Sequence, residues 1–236
     1  RLMKKYIQFL AIIFALVFTT NCYAQDATTL VRKVKAKLDA VNDYVADGKM
    51  KTDVAFIKAP VGNVKVYYKK PNKFKLKRDG GISILPKGGV SVNMNSIVTA
   101  DDFDVIDAGT EIIAGTKTIK LKLLPRNDNN DVVLTTMYIN EASLLVYKAI
   151  TTTKENGTYE IEMSYGKYSA YGLPDKLIFS FNTKDYKMPK GITMEFDDDD
   201  KKARELKDKM KNKKGKIEIT YSNYVINKGV DDSIFK

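Results

Sequence analysis

Between residues 112 and 171 the chain alternates apolar and polar side chains through long runs separated by short turns. Ile119, Leu121 and Leu123 alternate with Lys120 and Lys122, and Tyr159, Ile161, Met163 and Tyr165 alternate with Thr158, Glu160, Glu162 and Ser164. A period of two sends successive side chains to opposite faces of a strand, so these runs predict an antiparallel sheet with one apolar face. Asn156-Gly157 stands between runs at 144–154 and 158–168. That pair accepts the positive dihedrals of a tight hairpin and predicts that the two strands are neighbours. Further strands are predicted at 49–57, 61–69, 72–78, 117–124, 132–140, 176–182, 191–196 and 216–226, with shorter pieces at 81–85 and 90–94. Residues 101–107, 127–131 and 172–174 are expected as loops or turns.

Two stretches have helical spacing. In 28–46, Leu30, Val34, Leu38, Val41 and Val45 fall on one stripe, Arg32, Lys33, Lys35 and Lys37 lie on or beside the other face, and Gly48 reads as the stop. In 197–214, aspartates crowd the first turn and lysines the last, which complements a helix dipole, and Gly215 follows as a cap. The apolar stripe there, Ala203, Leu206 and Met210, is thin. The predicted architecture is therefore mainly β with flanking helices, an α+β arrangement. A sheet this wide with so few helices to cover its apolar face points to a cavity.

Lys4 and Lys5 precede a short apolar run at 6–18, and Cys22-Tyr23-Ala24 makes a small-x-small site. Residues 1–24 are thus expected to be a signal peptide starting at Met3 and cleaved after Ala24, leaving residues 25–236 as one exported, periplasmic domain. Cys22 is the only cysteine, and the sequence has no histidine. A mature chain with neither thiol nor imidazole excludes Cys-His and Ser-His nucleophile pairs and zinc sites built on those ligands. No catalytic residue, cofactor or metal is expected. Acylation of Cys22, which would anchor the protein at the outer membrane, fits less well, because Thr19 and Asn21 stand where a lipobox prefers Leu and a small residue. Without Arg1, Lys4 and Lys5, 37 of the 40 basic residues remain against 29 acidic ones. In an exported protein this excess suits an anionic membrane surface and argues against nucleic acid; it also simply favours solubility.

Candidate chemistry is sparse. Glu160 and Glu162 project from one strand face roughly 7 Å apart, a spacing compatible with glycoside hydrolysis, but they occupy the polar phase of an unbroken alternation and are expected to be solvated. Asp128 and Asp131 lack the ligand count of a calcium loop and read as a turn. Lys69, Lys70, Lys73, Lys75, Lys77 and Arg78 make one strand basic on one side, with Phe74 and Leu76 on the other. Such a strand either docks to anionic headgroups or an acidic partner, or guards an edge against aggregation.

Lys70-Pro71-Asn72-Lys73-Phe74-Lys75-Leu76 resembles the Arg-Pro-Asn-x-Phe-Arg-Trp pattern of the periplasmic outer-membrane lipoprotein carriers, the LolA-like family. The tail from Asn227 through Val230-Asp231 to Phe235 is similar to that family's closing Asn-x-x-Val/Ile-Asp-x-x-x-Phe segment. Ile113-Ala114-Gly115 leading into Leu121, and Met137-Tyr138-Ile139-Asn140 before Tyr147, resemble its central strands. The resemblance spans the mature chain and implies an incurved antiparallel half-barrel closed by helices. Its concave face would hold, without enzymatic chemistry, the acyl chains of a lipoprotein or another lipid bound for the outer membrane. The lining expected from the apolar phases is Val64, Val66, Phe74, Leu76, Leu121, Leu123, Met137, Tyr159, Ile161, Met163, Phe179, Phe181, Ile219 and Tyr221. Lys70, Lys73 and Lys75 take the lid, gating or docking positions. The family's arginine at the first of these links lid to barrel; lysine lacks the planar fork, so a different opening mechanism is expected. The implied partners are lipid or lipoprotein cargo, an inner-membrane export complex and an outer-membrane acceptor, with the protein itself a monomer. Relatives of this fold also act as envelope-stress regulators that sense lipid and bind a protein, and the sequence leaves that alternative open.

Overall fold

The computed structural model describes residues 27–53, 61–71, 73–79, 102–127, 130–155, 157–182 and 214–235. The expected signal peptide, the strands at 81–85, 90–94 and 191–196, and Asp128 lie outside them. So does the helix expected at 197–214, apart from Lys214, whose backbone opens the last strand. Helix α1 spans Ala27–Asp39. Ten strands follow: β1 Asp43–Asp53, β2 Gly62–Lys69, β3 Lys73–Arg78, β4 Phe103–Ile113, β5 Thr116–Pro125, β6 Val132–Asn140, β7 Leu145–Thr153, β8 Gly157–Ser164, β9 Lys176–Asn182 and β10 Lys214–Ile226. They form one curved open sheet, all neighbours antiparallel, in the order β3-β2-β1-β10-β9-β8-β7-β6-β5-β4.

The central strands lie where the alternation predicts them. β7 and β8 pair with Thr153 opposite Gly157, whose φ of 68° supplies the positive dihedral of the hairpin. β4 and β5 close through Ala114 (φ 47°) and Gly115 (φ 78°), the doubly positive geometry of a type I′ turn.

Two expectations are corrected. The helix expected over 28–46 ends at Asp39, and the following residues become β1. Val41 and Val45 do stand at helical spacing, but Tyr44 and Val45 are strand formers that pair with β2 and β10, where the sheet supplies more burial than a longer helix would. Asn227, beyond the end of β10, fixes the break: its Nδ2 donates to the Ala40 carbonyl at 3.0 Å, and its Oδ1 accepts from the Asn42 amide at 2.7 Å. The loop expected at 101–107 is instead most of the first half of β4, an edge strand. Its acidic residues are exposed and only Phe103 is fully buried, so there is little apolar alternation to read.

α1 buries Leu30, Val31, Val34 and Leu38 against the sheet. It crosses one rim: Lys37 donates to the Ser143 carbonyl in the β6–β7 turn at 2.7 Å, Leu38 packs at Gly172 in the β8–β9 connection, and the helix also meets β4. The opposite rim carries the β7–β8 turn and the free ends of β9 and β10.

Candidate functional site

The inner face of the sheet, the one α1 packs on, gathers the apolar phase of all ten strands. Leu121 and Leu123 of β5 stand opposite Met137 and Thr135 of β6. Ile161 of β8 lies between Ala149 and Phe179, with Tyr159 opposite Phe181 and Met163 opposite Leu177. Ile219 of β10 joins Leu177 to Met50, and Val64 and Val66 of β2 continue the face to Leu76 and, beside it, Phe74 of β3. Of the expected lining, Val64, Val66, Leu121, Leu123, Met137, Tyr159, Ile161, Met163, Phe179, Phe181, Ile219 and Tyr221 belong to one buried cluster, and Phe74 and Leu76 pack against it half-buried. One polar pair sits among them: the Thr135 and Thr151 hydroxyls bond each other at 3.1 Å, which satisfies both without water.

The two ends of this face differ in chemistry. Toward the rim opposite the helix it is phenyl and aliphatic, with Tyr159–Phe179 and Phe179–Phe181 ring centroids 5.5 and 5.4 Å apart. At the same rim a recess of about 300 Å³ opens on the outer side of the sheet, lined mostly by the outer phase, Ile150, Thr158, Glu160, Ser180 and Asn182, together with Tyr159 and Phe181. Toward the helix the face is built of tyrosines: Tyr44 contacts Tyr68 at 5.3 Å and Tyr224 at 5.4 Å, and Tyr224 contacts Tyr221 at 5.2 Å and Tyr168 at 4.8 Å.

Of these, only Tyr221 was expected in the lining, and a β-bulge explains why Tyr224 was hidden. Asp47 pairs with Asn223 but Gly48 pairs with Tyr221, so Ser222 is an extra residue in β10. The extra residue shifts the phase, and Tyr221 and Tyr224, three apart, both turn inward. Their partners on β1 are small, Gly48 and Ala46. A Cβ on Gly48 would stand 2.7 Å from the Thr220 carbonyl oxygen, so the close strand approach at the bulge requires glycine. The Tyr224 hydroxyl donates to the Pro174 carbonyl and that of Tyr165 to the Val146 carbonyl, each at 2.7 Å. Burial raises the ionisation of Tyr44, Tyr165, Tyr221 and Tyr224 far above the ordinary phenol range, so all four stay protonated at any physiological pH.

The basic residues anchor elements on the helix rim. Lys70 donates to the carbonyl of Asp39, the last residue of α1, with the Asp39 carboxylate 3.9 Å away, so one ammonium ties the helix to the β2–β3 turn. Lys69 and Lys73 both pair with Asp232 at 2.8 and 3.0 Å, holding the 3₁₀ turn Asp232–Phe235 against the β2–β3 hairpin. These bonds hold the Asp232 carboxyl below its usual range. Lys75 lies on the outer face opposite Tyr67.

Glu160 and Glu162 are also on the outer face, where Lys148 of β7 sits between them at 2.9 and 3.7 Å. Burial opposes the charge on Lys148, but the two carboxylates outweigh it and raise its pKa. Glu162 does not line the recess that Glu160 borders, so the pair shares no cleft and is spent on a cross-strand ion lattice. Among the described residues no group of three or more histidine, cysteine or carboxylate side chains is placed to hold a metal.

No protein-family model and no curated protein matches the sequence. Solved structures do resemble it. A protein of the DUF1329 family from Desulfovibrio piger superposes with a TM-score of 0.55 at 13% identity over 89% of this chain and 95% of its own. A LolA-superfamily protein from Nitrosomonas europaea gives 0.53 at 11% identity over 89% and 97%. A domain from Vibrio parahaemolyticus named for outer-membrane lipoprotein sorting gives 0.51 at 10% over 90% and 97%. Motifs and superposition agree, and the chain has the LolA-like half-barrel fold: a curved open antiparallel sheet with a helix across one rim.

Proposed function

We propose that the protein is a non-enzymatic periplasmic carrier, residues 25–236 forming one domain that binds the acyl chains of a lipoprotein or other lipid on its inner face for transfer to the outer membrane. The observation that carries this reading is the wide, largely apolar face of a ten-stranded sheet, against which the described residues pack a single helix of 13 residues. Met50, Met137 and Met163 with Tyr159, Phe179 and Phe181 give that face flexible and aromatic side chains that adapt to a chain of methylenes. Burying about ten methylenes gains roughly 8 kcal/mol, the free energy of a micromolar complex. The fold shared with a domain named for lipoprotein sorting points the same way. The outer strip of Lys65, Lys69, Lys73, Lys75 and Lys77 on β2 and β3 offers contact with an anionic membrane or with the export complex and acceptor that such a carrier needs.

Uptake of a fluorescent acyl probe by residues 25–236 tests the proposal. The protein binds the probe, and Leu121→Asp, which puts a carboxylate at a fully buried position of the face, abolishes binding while far-UV circular dichroism retains the sheet signal. A native protein that takes up no probe contradicts the carrier reading.

A further inference from the structure

The tyrosines at the helix end of the inner face are not equivalent. Tyr224, Tyr165 and Tyr168 spend their hydroxyls on Pro174, Val146 and Asn223. The hydroxyls of Tyr44 and Tyr221 have no hydrogen-bond partner among the described residues, although each residue is only 8% exposed. Neither oxygen is among the fully buried polar atoms that lack a partner, so each phenol stays open to an acceptor from outside the protein, and phenylalanine would fill both positions while removing only that donor. Tyr221 is turned inward by the extra residue Ser222 and Tyr44 stands beside Tyr68 and Tyr224, so both phenols are held on the same end of the face by packing. Burial keeps both protonated, hence both are hydrogen-bond donors.

We infer that Tyr44 and Tyr221 form a polar subsite that donates hydrogen bonds to the carbonyl oxygen of a bound acyl chain, its carboxyl or ester, while the chain's methylenes lie on the aliphatic and phenyl side chains of the same face. This rests on the carrier reading and adds to it a rule of selection: the protein distinguishes an acyl group from a plain hydrocarbon of equal length.

The experiment displaces N-phenyl-1-naphthylamine, a neutral apolar probe, from wild type and from the Tyr44→Phe/Tyr221→Phe double variant, using palmitic acid, methyl palmitate and hexadecane as competitors. Two neutral hydrogen bonds predict that the double variant loses about ten-fold in affinity for the acyl competitor, keeps its affinity for hexadecane, and unfolds at the same or a higher temperature than wild type. Loss for both palmitic acid and methyl palmitate assigns the subsite to the carbonyl shared by acid and ester; loss for palmitic acid alone assigns it to a free carboxyl. Unchanged affinity for both acyl competitors, or an equal loss for hexadecane, overturns the subsite and leaves the carrier reading standing. Failure of wild type to take up the probe overturns both.

Discussion

The inner face of this sheet has two halves. At β8 and β9 it is mainly a hydrocarbon surface, Ile161, Leu177, Phe179 and Phe181, with the Tyr159 hydroxyl as its one phenol. At β1 and β10 it is also buried, yet Tyr44, Tyr221 and Tyr224 place phenol oxygens there, one bonded to the backbone and two with no partner among the described residues. The first half follows from regular pairing of strands with strict alternation. The second depends on a bulge, on two small residues opposite the tyrosines and on a helix that stops early. A regular sheet supplies a place for methylenes; the irregularity in it adds direction and polarity.

Three changes break or sharpen that contrast. Phe179→Ala should have the largest effect, since a fully buried ring in the hydrocarbon half is lost: about 3–5 kcal/mol of stability, read from urea unfolding with an unchanged m-value. Gly48→Ala should cost about 1–3 kcal/mol, because the added Cβ meets the backbone at Thr220 rather than a side chain that can rotate away. Its nuclear magnetic resonance shifts should spread through the Tyr221 and Tyr224 rings and leave those of Phe179 and Phe181 in place. The smallest effect is a pH response outside both halves. Asp232 has a folded carboxyl pKa below its unfolded value of 3.8 through its bonds to Lys69 and Lys73. A depressed carboxylate stabilises the fold above the unfolded pKa and loses that contribution as pH falls through the folded one. The turn Asp232–Phe235 should therefore exchange its amides faster below pH 3.8, relative to β8 and β9, than at pH 6, and Asp232→Asn should remove the difference.

The two halves were not equally legible in the sequence. β5 and β8 came directly from period two, and Gly157 announced the hairpin between β7 and β8 because only a residue tolerant of positive φ serves there. The hydrocarbon lining followed, since in a regular strand alternate residues share a face. Tyr44 was obscured because Val41 and Val45 happen to sit three and seven residues from Leu38, so the start of β1 imitates a helical stripe. Tyr224 was obscured because a one-residue bulge inverts the alternation that Ile217, Ile219 and Tyr221 establish. Bulges arise from pairing between strands far apart in sequence, here β1 and β10, and leave no local signature beyond a glycine in mid-strand. Gly48 was that signal, read as the end of a helix. The acidic edge strand β4 escaped for another reason: Phe103 is its only fully buried residue, so it displays almost no apolar phase. Lys70 did stand out, and its bond to the end of α1 shows that a single ammonium makes the helix-to-sheet link for which the family resemblance implied an arginine fork.

The most direct test of the account is native mass spectrometry of the mature protein purified from its own envelope, followed by extraction and identification of whatever is bound. One acyl-bearing molecule per chain is expected, lost from Leu121→Asp protein that remains folded. A lipid-free protein that also refuses acyl ligands in vitro would mean that the inner face is a filled core, and would contradict the carrier function and the tyrosine subsite together.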